Sequence, residues 1–599
     1  MTALARAVFA ALVVATLAAF FVAQGLKSTP AVIQSVGVEP RVSPNGDGRY
    51  DRAIIAFDVK DADRVDLLVV DREGDTVRRL VDGRRVEDGQ RVEVRWDGRD
   101  DDGRVPPDGT YRPRVVLHSQ GRSVIVPRTI RLDTTPPPAR VLSIGPDREP
   151  SPRPELLPRP DGRPVVIRFA TEGLKREVDI WRTSPSVRRV TGVGIDTFED
   201  GVGTARWSGR RRGRRVAPGT FVAVIQARDE AGNIGSSVPL PLKPRPGLKV
   251  HGPGGISVRY LAVQPPLLPV PGGKPFTVAV DARGATYNWS LRRVGAPQPV
   301  RRSRRATGGP LTRAAPDGLS GLFLFEVRTR TRAARVPVVV DDKRKRRVLV
   351  VLPATTWQGR NAVDDDGDGL PNTLDLGGPV RLNRVFAGPD LPPGFEVNEA
   401  PLLAHLDRGG HRYDLTTDVA LAAGVGPKVE GHGGILIAGD AVWLTEDVRT
   451  RLRAFVARGG TLASLGTGSL RAEVQQTSEE LRRPSKPGQT DLFGSRIGPV
   501  VRRRADLTIL EDDDTVQLFA GEEGLFEDVA AWEPTISPGA EARRVAAAVT
   551  PDGREVIFAA RFGKGLVVRP AIPGFVTRVR SDPASSELLG RIWTLLRTG

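Results

Sequence analysis

A motif occurs twice in the first half of this chain. One copy reads WDGRDDDGRVPPDGTYRPRVVL from Trp96, the other WSGRRRGRRVAPGTFVAVIQ from Trp207. In both, a Gly follows the Trp by two residues (Gly98, Gly209) and a Pro by eleven (Pro107, Pro218). A Gly-Thr-aromatic triplet then ends at Tyr111 or Phe221. Upstream, AIIAFDVKDADRVDLLVVD and PVVIRFATEGLKREVDIWRT each read as two short strands with mixed alternation. Each copy is therefore a unit of about 100 residues of strands and turns, a β-sandwich pattern. The expected roles follow: Trp packs on the sandwich, the Gly-rich turn reverses the chain, and the Pro-containing turn starts the last hairpin.

The chain has 599 residues, too many for one core, and about four domains are expected. Gly and Pro are frequent (66 and 51) and aromatics make up only 5%, which suits short strands and turns over long helical bundles. There is no cysteine, so disulfides, zinc–thiolate centres and a cysteine nucleophile are excluded. The five histidines (His118, His251, His405, His411, His432) lack the close spacing of a histidine zinc site. Net charge is +18, concentrated in Arg210–Arg215, Arg301–Arg305 and Asp342–Arg347. No aromatic residues interleave with these runs, so nucleic acid is not the expected partner. Affinity for anionic envelope polymers, anionic lipid heads or other envelope proteins fits better.

Ala7–Leu26 is uncharged over 20 residues, about 30 Å as a helix and enough to span a bilayer core. A cleavage site at Phe21-Val22-Ala23 has a large residue three before the cut, so an uncleaved signal-anchor is favoured over secretion after cleavage. The expected localisation is a single-pass cell-membrane protein with the bulk of the chain extracytoplasmic.

The repeat, together with SPNGDGRYD (Ser43–Asp51), resembles the Ig-like domain of flagellar hook-assembly proteins, over roughly residues 35–245. Asn45, Asp47 and Asp51 either hold a calcium ion or form an Asx-turn network at a strand start. DTTPPP (Asp133–Pro138) reads as a stiff linker, and ARDEAGNIG (Ala227–Gly235) resembles a last-strand turn of bacterial Ig-like repeats. Residues 250–345 alternate apolar and polar and read as a third sandwich, flanked by a polar loop, RRSRRATGGPLTRAAPDG.

The pattern changes at Arg346. RRVLVVLP is a continuous apolar run of the kind buried in a parallel sheet. APLLAHLDRGG reads as a helix stopped at Gly409-Gly410, YDLTTDVALA as strand and turn, GGILIAGDAVW as a second buried strand, and TLASLGTGS as a third. TEDVRTRLRAFVARGG reads as a helix with Thr445 as N-cap and Val448, Leu452, Phe455 and Val456 on one face. Such alternation predicts a right-handed parallel α/β sheet with any ligand site at the strands' carboxyl ends: Thr355–Asn361, Gly439–Trp443 and Gly466–Ser469.

LPATTWQGRN (Leu352–Asn361), Ala400–Leu421, Ile437–Ser469 and the tail FGKGLVVRPAIPGF resemble the C-terminal region of the large subunit of N,N-dimethylformamidase, over about residues 346–599. The resemblance implies a glutamine-amidotransferase-like α/β domain and, in the amidase, a mononuclear iron held by tyrosine and glutamate. Here Arg360 and Val442 stand at tyrosine positions of the family's motifs. Neither can act as a phenolate ligand, so iron is not expected. Asp440 reads foremost as the cap of a tight turn; its alternative role is a base, assisted by His432 or Glu446.

One further string, VDDDGDGLPNTLD, has the spacing of a calcium loop. Asp364, Asp366, Asp368 and Asp375 fall at positions 1, 3, 5 and 12, Gly369 at 6, Leu370 at 7 (through its carbonyl) and Asn372 at 9. Oxygen-only ligands favour structural Ca2+ over iron or zinc. The expected architecture is multidomain: an N-terminal membrane helix (1–30), Ig-like β-sandwiches (31–135, 136–247), a β-rich domain (248–345) and an α/β amidase-like domain (346–599). The expected function is non-catalytic binding or scaffolding at the cell envelope. The alternative is a hydrolase of an amide or carbohydrate derivative with an altered site.

Overall fold

The computed structural model describes residues 3–27, 33–146, 151–387, 391–520 and 525–599; on the first helix it describes the side chains of 8–20, and at 304 the backbone alone. That helix, Ala3–Lys27, leaves Val8, Phe9, Leu12, Val13, Val14, Leu17 and Phe20 exposed. Among the described residues no helix is long and apolar enough to cross a membrane. The expected span, Ala7–Leu26, runs past the described side chains at both ends.

By contacts the chain forms two compact units. One comprises Met1–Ala139 with Thr171–Arg176 and Gln226–Ser236, the other Arg140–Ala170, Glu177–Ile225 and Ser237–Gly599. In the first, Ile33–Val38, Ala53–Val59 and Arg91–Trp96 make one sheet. The other sheet runs Arg41–Val42, Ile130–Leu132, Gly109–Leu117, Asp63–Val70, Thr76–Val86, with Arg122–Ile125 beside Gly109–Leu117. Every second residue of Ala53–Val59 faces the core, where Ile55 and Phe57 meet Leu67, Trp96 and Val115. Trp96 Nε1 donates to Arg99 O (2.9 Å), and its ring centroid lies 5.4 Å from that of Tyr111. Gly98 has φ +73°, and a Cβ there would sit 3.1 Å from Pro44, so the motif needs glycine on both counts.

The second copy repeats this geometry. Trp207 Nε1 donates to Arg210 O (2.9 Å) and its ring lies 5.3 Å from Phe221. One of its sheets runs Glu155–Leu157, Gly255–Val258, Gly219–Arg228, Lys175–Ser184, Arg188–Val193. Gly255–Val258 thus pairs with the second sandwich rather than with the strands that follow it. Those later strands form two sheets around Trp289, Phe323 and Phe325, with Trp289 stacked on Phe325 at 5.4 Å. The flank expected as a polar loop instead contains two strands, Arg301–Ala306 and Leu311–Ala314. The arginines of the first belong to the outermost strand of its sheet, where charge discourages further pairing.

In the last region Asp414–Thr417, Val348–Leu352, Gly434–Ile437, Thr461–Ser464 and Gly565–Pro570 lie side by side and parallel. Antiparallel strands Glu555–Phe562, Ala542–Val549, Ala505–Asp512 and Leu525–Val529 extend the sheet. The helix Glu446–Ala457 begins where Thr445 accepts from Val448 N, and it buries Val448, Leu452, Phe455 and Val456. The helix Glu399–Arg408 ends at Gly409. YDLTTDVALA is a strand followed by the helix Asp418–Ala423, not by a turn, because Thr417 Oγ1 accepts from Ala420 N (3.1 Å) and starts it.

Candidate functional site

The acidic loop brings three of its predicted ligands together. Asp364, Asp366 and Asp368 each place a carboxylate oxygen within 4.8 Å of the others. Gly367 and Gly369, at φ +79° and +84°, bend the chain tightly enough for this. Asp364 Oδ1 accepts from Gly367 N (2.7 Å), its Oδ2 from Gly369 N (2.9 Å), and Asp368 Oδ1 from Leu370 N (2.7 Å). Burial, and then the charge of Asp368, pushes Asp364 up to about 8; burial and Asp366 push Asp368 to about 6. Asn372 Nδ2 donates to Asp366 Oδ2 (3.2 Å).

Asp375 does not join them. It lies in the 3-10 turn Leu374–Leu376, half exposed, and pairs with Arg360 at 3.3 Å. The turn carries position 12 away from the carboxylates, so the ligand set expected there is one carboxylate shorter. The Leu370 side chain packs with Val222, Val224, Val238 and Leu242. Gly255 N donates to Gly367 O (2.8 Å) and Thr183 Oγ1 to Gly369 O (2.6 Å). The loop is therefore seated on strands of the second sandwich. A Cβ on Gly255 would lie 2.3 Å from Asp364 Oδ2, so glycine is what permits this approach. Asp365, which the calcium spacing leaves unused, forms a nearly buried ion pair with Arg384 (2.8 Å).

At the strands' carboxyl ends the segment expected as a site entrance is the helix Ala354–Gly359, with every side chain buried. Thr355 N donates to Asp418 Oδ1 (2.9 Å), Val442 N to Thr356 Oγ1 (2.9 Å) and Trp357 Nε1 to Glu399 Oε1 (3.2 Å). Asp440 Oδ1 accepts from Thr467 N (2.8 Å), the turn-cap role, and burial raises its pKa. Neither proposed helper joins it. His432 precedes the strand Gly434–Ile437 that Asp440 follows, and its Nε2 lies 2.9 Å from Asp414 Oδ2. Glu446 is exposed in the first turn of its helix and accepts from Thr450 (3.2 Å). A parallel strand carries its two ends to opposite edges of the sheet, which separates His432 from Asp440.

Sequence reasoning missed the residues that fill this end. Glu533 accepts from Gly468 N (2.9 Å), Arg471 (3.1 Å) and the buried Arg569 (2.8 Å). They come from segments far apart in the chain, and no local pattern marks them. The Arg360 guanidinium lies 5.5 Å from the Trp443 ring centroid.

Glu399 is fully buried, and its Oε2 has no hydrogen-bond partner among the described residues. Burial pushes its carboxyl from an ordinary 4.5 up to about 8. A folded pKa above the unfolded value gives stability that is complete below about 4.5 and lost as pH rises toward about 8. Glu399→Gln is therefore expected to raise Tm at pH 9 and leave it nearly unchanged at pH 4, read from melting curves across that range. Parallel wild-type and variant curves would refute the assignment.

No curated protein matches this chain. Solved structures that resemble parts of it include the I67–I69 fragment of titin (7% identity, 52% of this chain and 99% of that one, TM-score 0.21). Another is the Bacteroides ovatus mixed-linkage glucan utilization locus protein SGBP-B, in complex with a mixed-linkage heptasaccharide (14%, 51% and 66%, TM-score 0.15). A third is a tetra-tandem repeat in the extending region of a large adhesion protein (15%, 51% and 75%, TM-score 0.16). At these identities and scores the likenesses carry no functional argument. Residues 51–121 match the FlgD Ig-like domain, and residues 311–491 match the family described as N,N-dimethylformamidase beta subunit-like, C-terminal.

Proposed function

We propose that this chain is an extracytoplasmic binding or scaffolding protein, anchored through Ala7–Leu26, whose amidotransferase-like α/β region does not hydrolyse amides. The dispersal of Asp440, Glu446 and His432 carries this reading: one caps a turn, one is solvated, and one pairs with Asp414 beyond the opposite end of a strand. Arg360, at a tyrosine position of the resembled motif, is engaged by Asp375 and Trp443. The anchor is supported by the exposed apolar side chains from Val8 to Phe20. The acidic loop acts as a structural Ca2+ site through Asp364, Asp366 and Asp368, a hard oxygen set suited to a hard cation.

A hydrolase with an altered site is the second reading. It is favoured by the Glu399 carboxyl, which stays protonated near neutral pH and lies against Gly439, beside Asp440. Metal analysis of the full chain, with assays on formamides and N-acetylated saccharides, separates the two. Calcium without iron and no turnover is the expected result; bound iron with turnover establishes the enzyme instead. The same preparation should stay with membranes through alkaline washing, and release of a protein beginning near Gln24 would overturn the anchor.

A further inference from the structure

The second compact unit holds a cavity of about 550 Å³, a size typical of small-molecule sites. Arg259, Arg332, Arg381 and Arg384 line it together with Tyr260 and Phe386. Arg384 is neutralised by Asp365 at 2.8 Å. The other three have no ion-pair partner among the described residues, since Asp281, the acid nearest in charge to Arg259, is taken by Arg283 (3.4 Å). Arg259 is mostly buried, its Nε has no hydrogen-bond partner among the described residues, and burial lowers its pKa. A buried guanidinium donor left unpaired is costly in a folded protein.

Asp364 also lines the cavity, but its oxygens accept from Gly367 N and Gly369 N. Tyr260 positions one of these cations: its hydroxyl donates to Val216 O (2.7 Å), and the Arg332 guanidinium lies 4.3 Å from its ring centroid. That ring is itself buried, so it offers no open face on which a base could stack.

We propose that this cavity binds a small organic oxyanion, one or two sugar rings in size and bearing two or more carboxylates or phosphates, through Arg259, Arg332 and Arg381. Guanidinium forks match such oxyanions with paired charge-assisted hydrogen bonds, and Phe386 offers an apolar wall. The proposal deepens the binding reading above by naming the ligand class.

Calorimetric titration of the full chain in detergent with citrate, pyrophosphate and digalacturonate, against neutral cellobiose, tests it. At least one acidic probe should bind tightly where cellobiose does not, and the affinity should fall with added salt. Pyrophosphate against digalacturonate distinguishes a phosphate from an acidic-sugar source. Arg259→Gln with Arg332→Gln should weaken binding at least tenfold, while Arg84→Gln with Arg85→Gln, exposed on the hairpin strand Thr76–Val86 and outside the cavity, should not. Should the double variant fail to fold, Arg332→Gln alone, at an exposed position, is expected to weaken binding several-fold. The proposal fails if no acidic probe outbinds cellobiose, if the cavity variants keep full affinity, or if the hairpin variant loses as much. Recovery of cleaved digalacturonate would count against the non-catalytic reading and leave the cavity's affinity intact.

Discussion

Trp96→Ala is expected to destabilise the first compact unit by about 3–5 kcal/mol, the range for emptying a core of an aromatic side chain. Trp96 is fully buried, packs edge-on against Tyr111 and ties its indole N–H to the turn at Arg99. The substitution removes a large ring and the hydrogen bond that fixes the turn. In calorimetry of the full chain, the transition of the first unit should move down by many degrees while that of the second stays in place. Trp207→Ala should behave in mirror fashion, because Trp207 lies in the second unit with the α/β sheet. Loss of both transitions in the Trp96 variant would show that the two units do not melt separately.

Calcium is expected to have the other large effect. Three carboxylates converge in the acidic loop, one of them buried, and their mutual repulsion disfavours the charged loop without a cation. A ligand that binds only the folded state stabilises it by about 2.7 kcal/mol at a hundredfold excess over Kd. Millimolar calcium should therefore raise Tm and chelator should lower it. Asp366→Ala should remove that difference, whereas Asp440→Ala, which alters a turn cap elsewhere, should leave it intact. Since the loop is seated on Gly255 and Thr183, the shift belongs to the transition of the second unit. A Tm indifferent to calcium in the unsubstituted chain would leave the loop an acidic turn.

What was legible was local. The helix Glu446–Ala457 could be read because its cap, its acidic first turn and its buried face all lie within a dozen consecutive residues. The same holds for the Trp–Gly–Pro–aromatic motif, whose partners lie fifteen residues apart or fewer in the chain. The spacing in SPNGDGRYD fits either calcium or an Asx network. The structure gives the network: Asp51 accepts from Gly46 N (2.7 Å) and Gly48 N (2.9 Å), and Asp47 pairs with Arg228 (3.0 Å). The antiparallel half of the last sheet went unread, since short apolar runs such as Ala542–Val549 do not declare their neighbours.

The sequence by itself determined the repeat, the apolar strands, the helix caps and the spacing that draws Asp364, Asp366 and Asp368 together. Each depends on backbone geometry over a few residues, which a short string encodes fully. Only the tertiary structure decided that Asp375 turns toward Arg360, that Asp365 is held by Arg384, that the acidic loop rests on Gly255, and that His432 and Asp440 stand beyond opposite ends of one strand. These are contacts between segments whose order in the sheet is set by packing the whole core, and no local periodicity carries that order. The filling of the strand ends by Glu533, Arg471 and Arg569 follows the same rule: buried charges stay in place only where distant segments supply their partners.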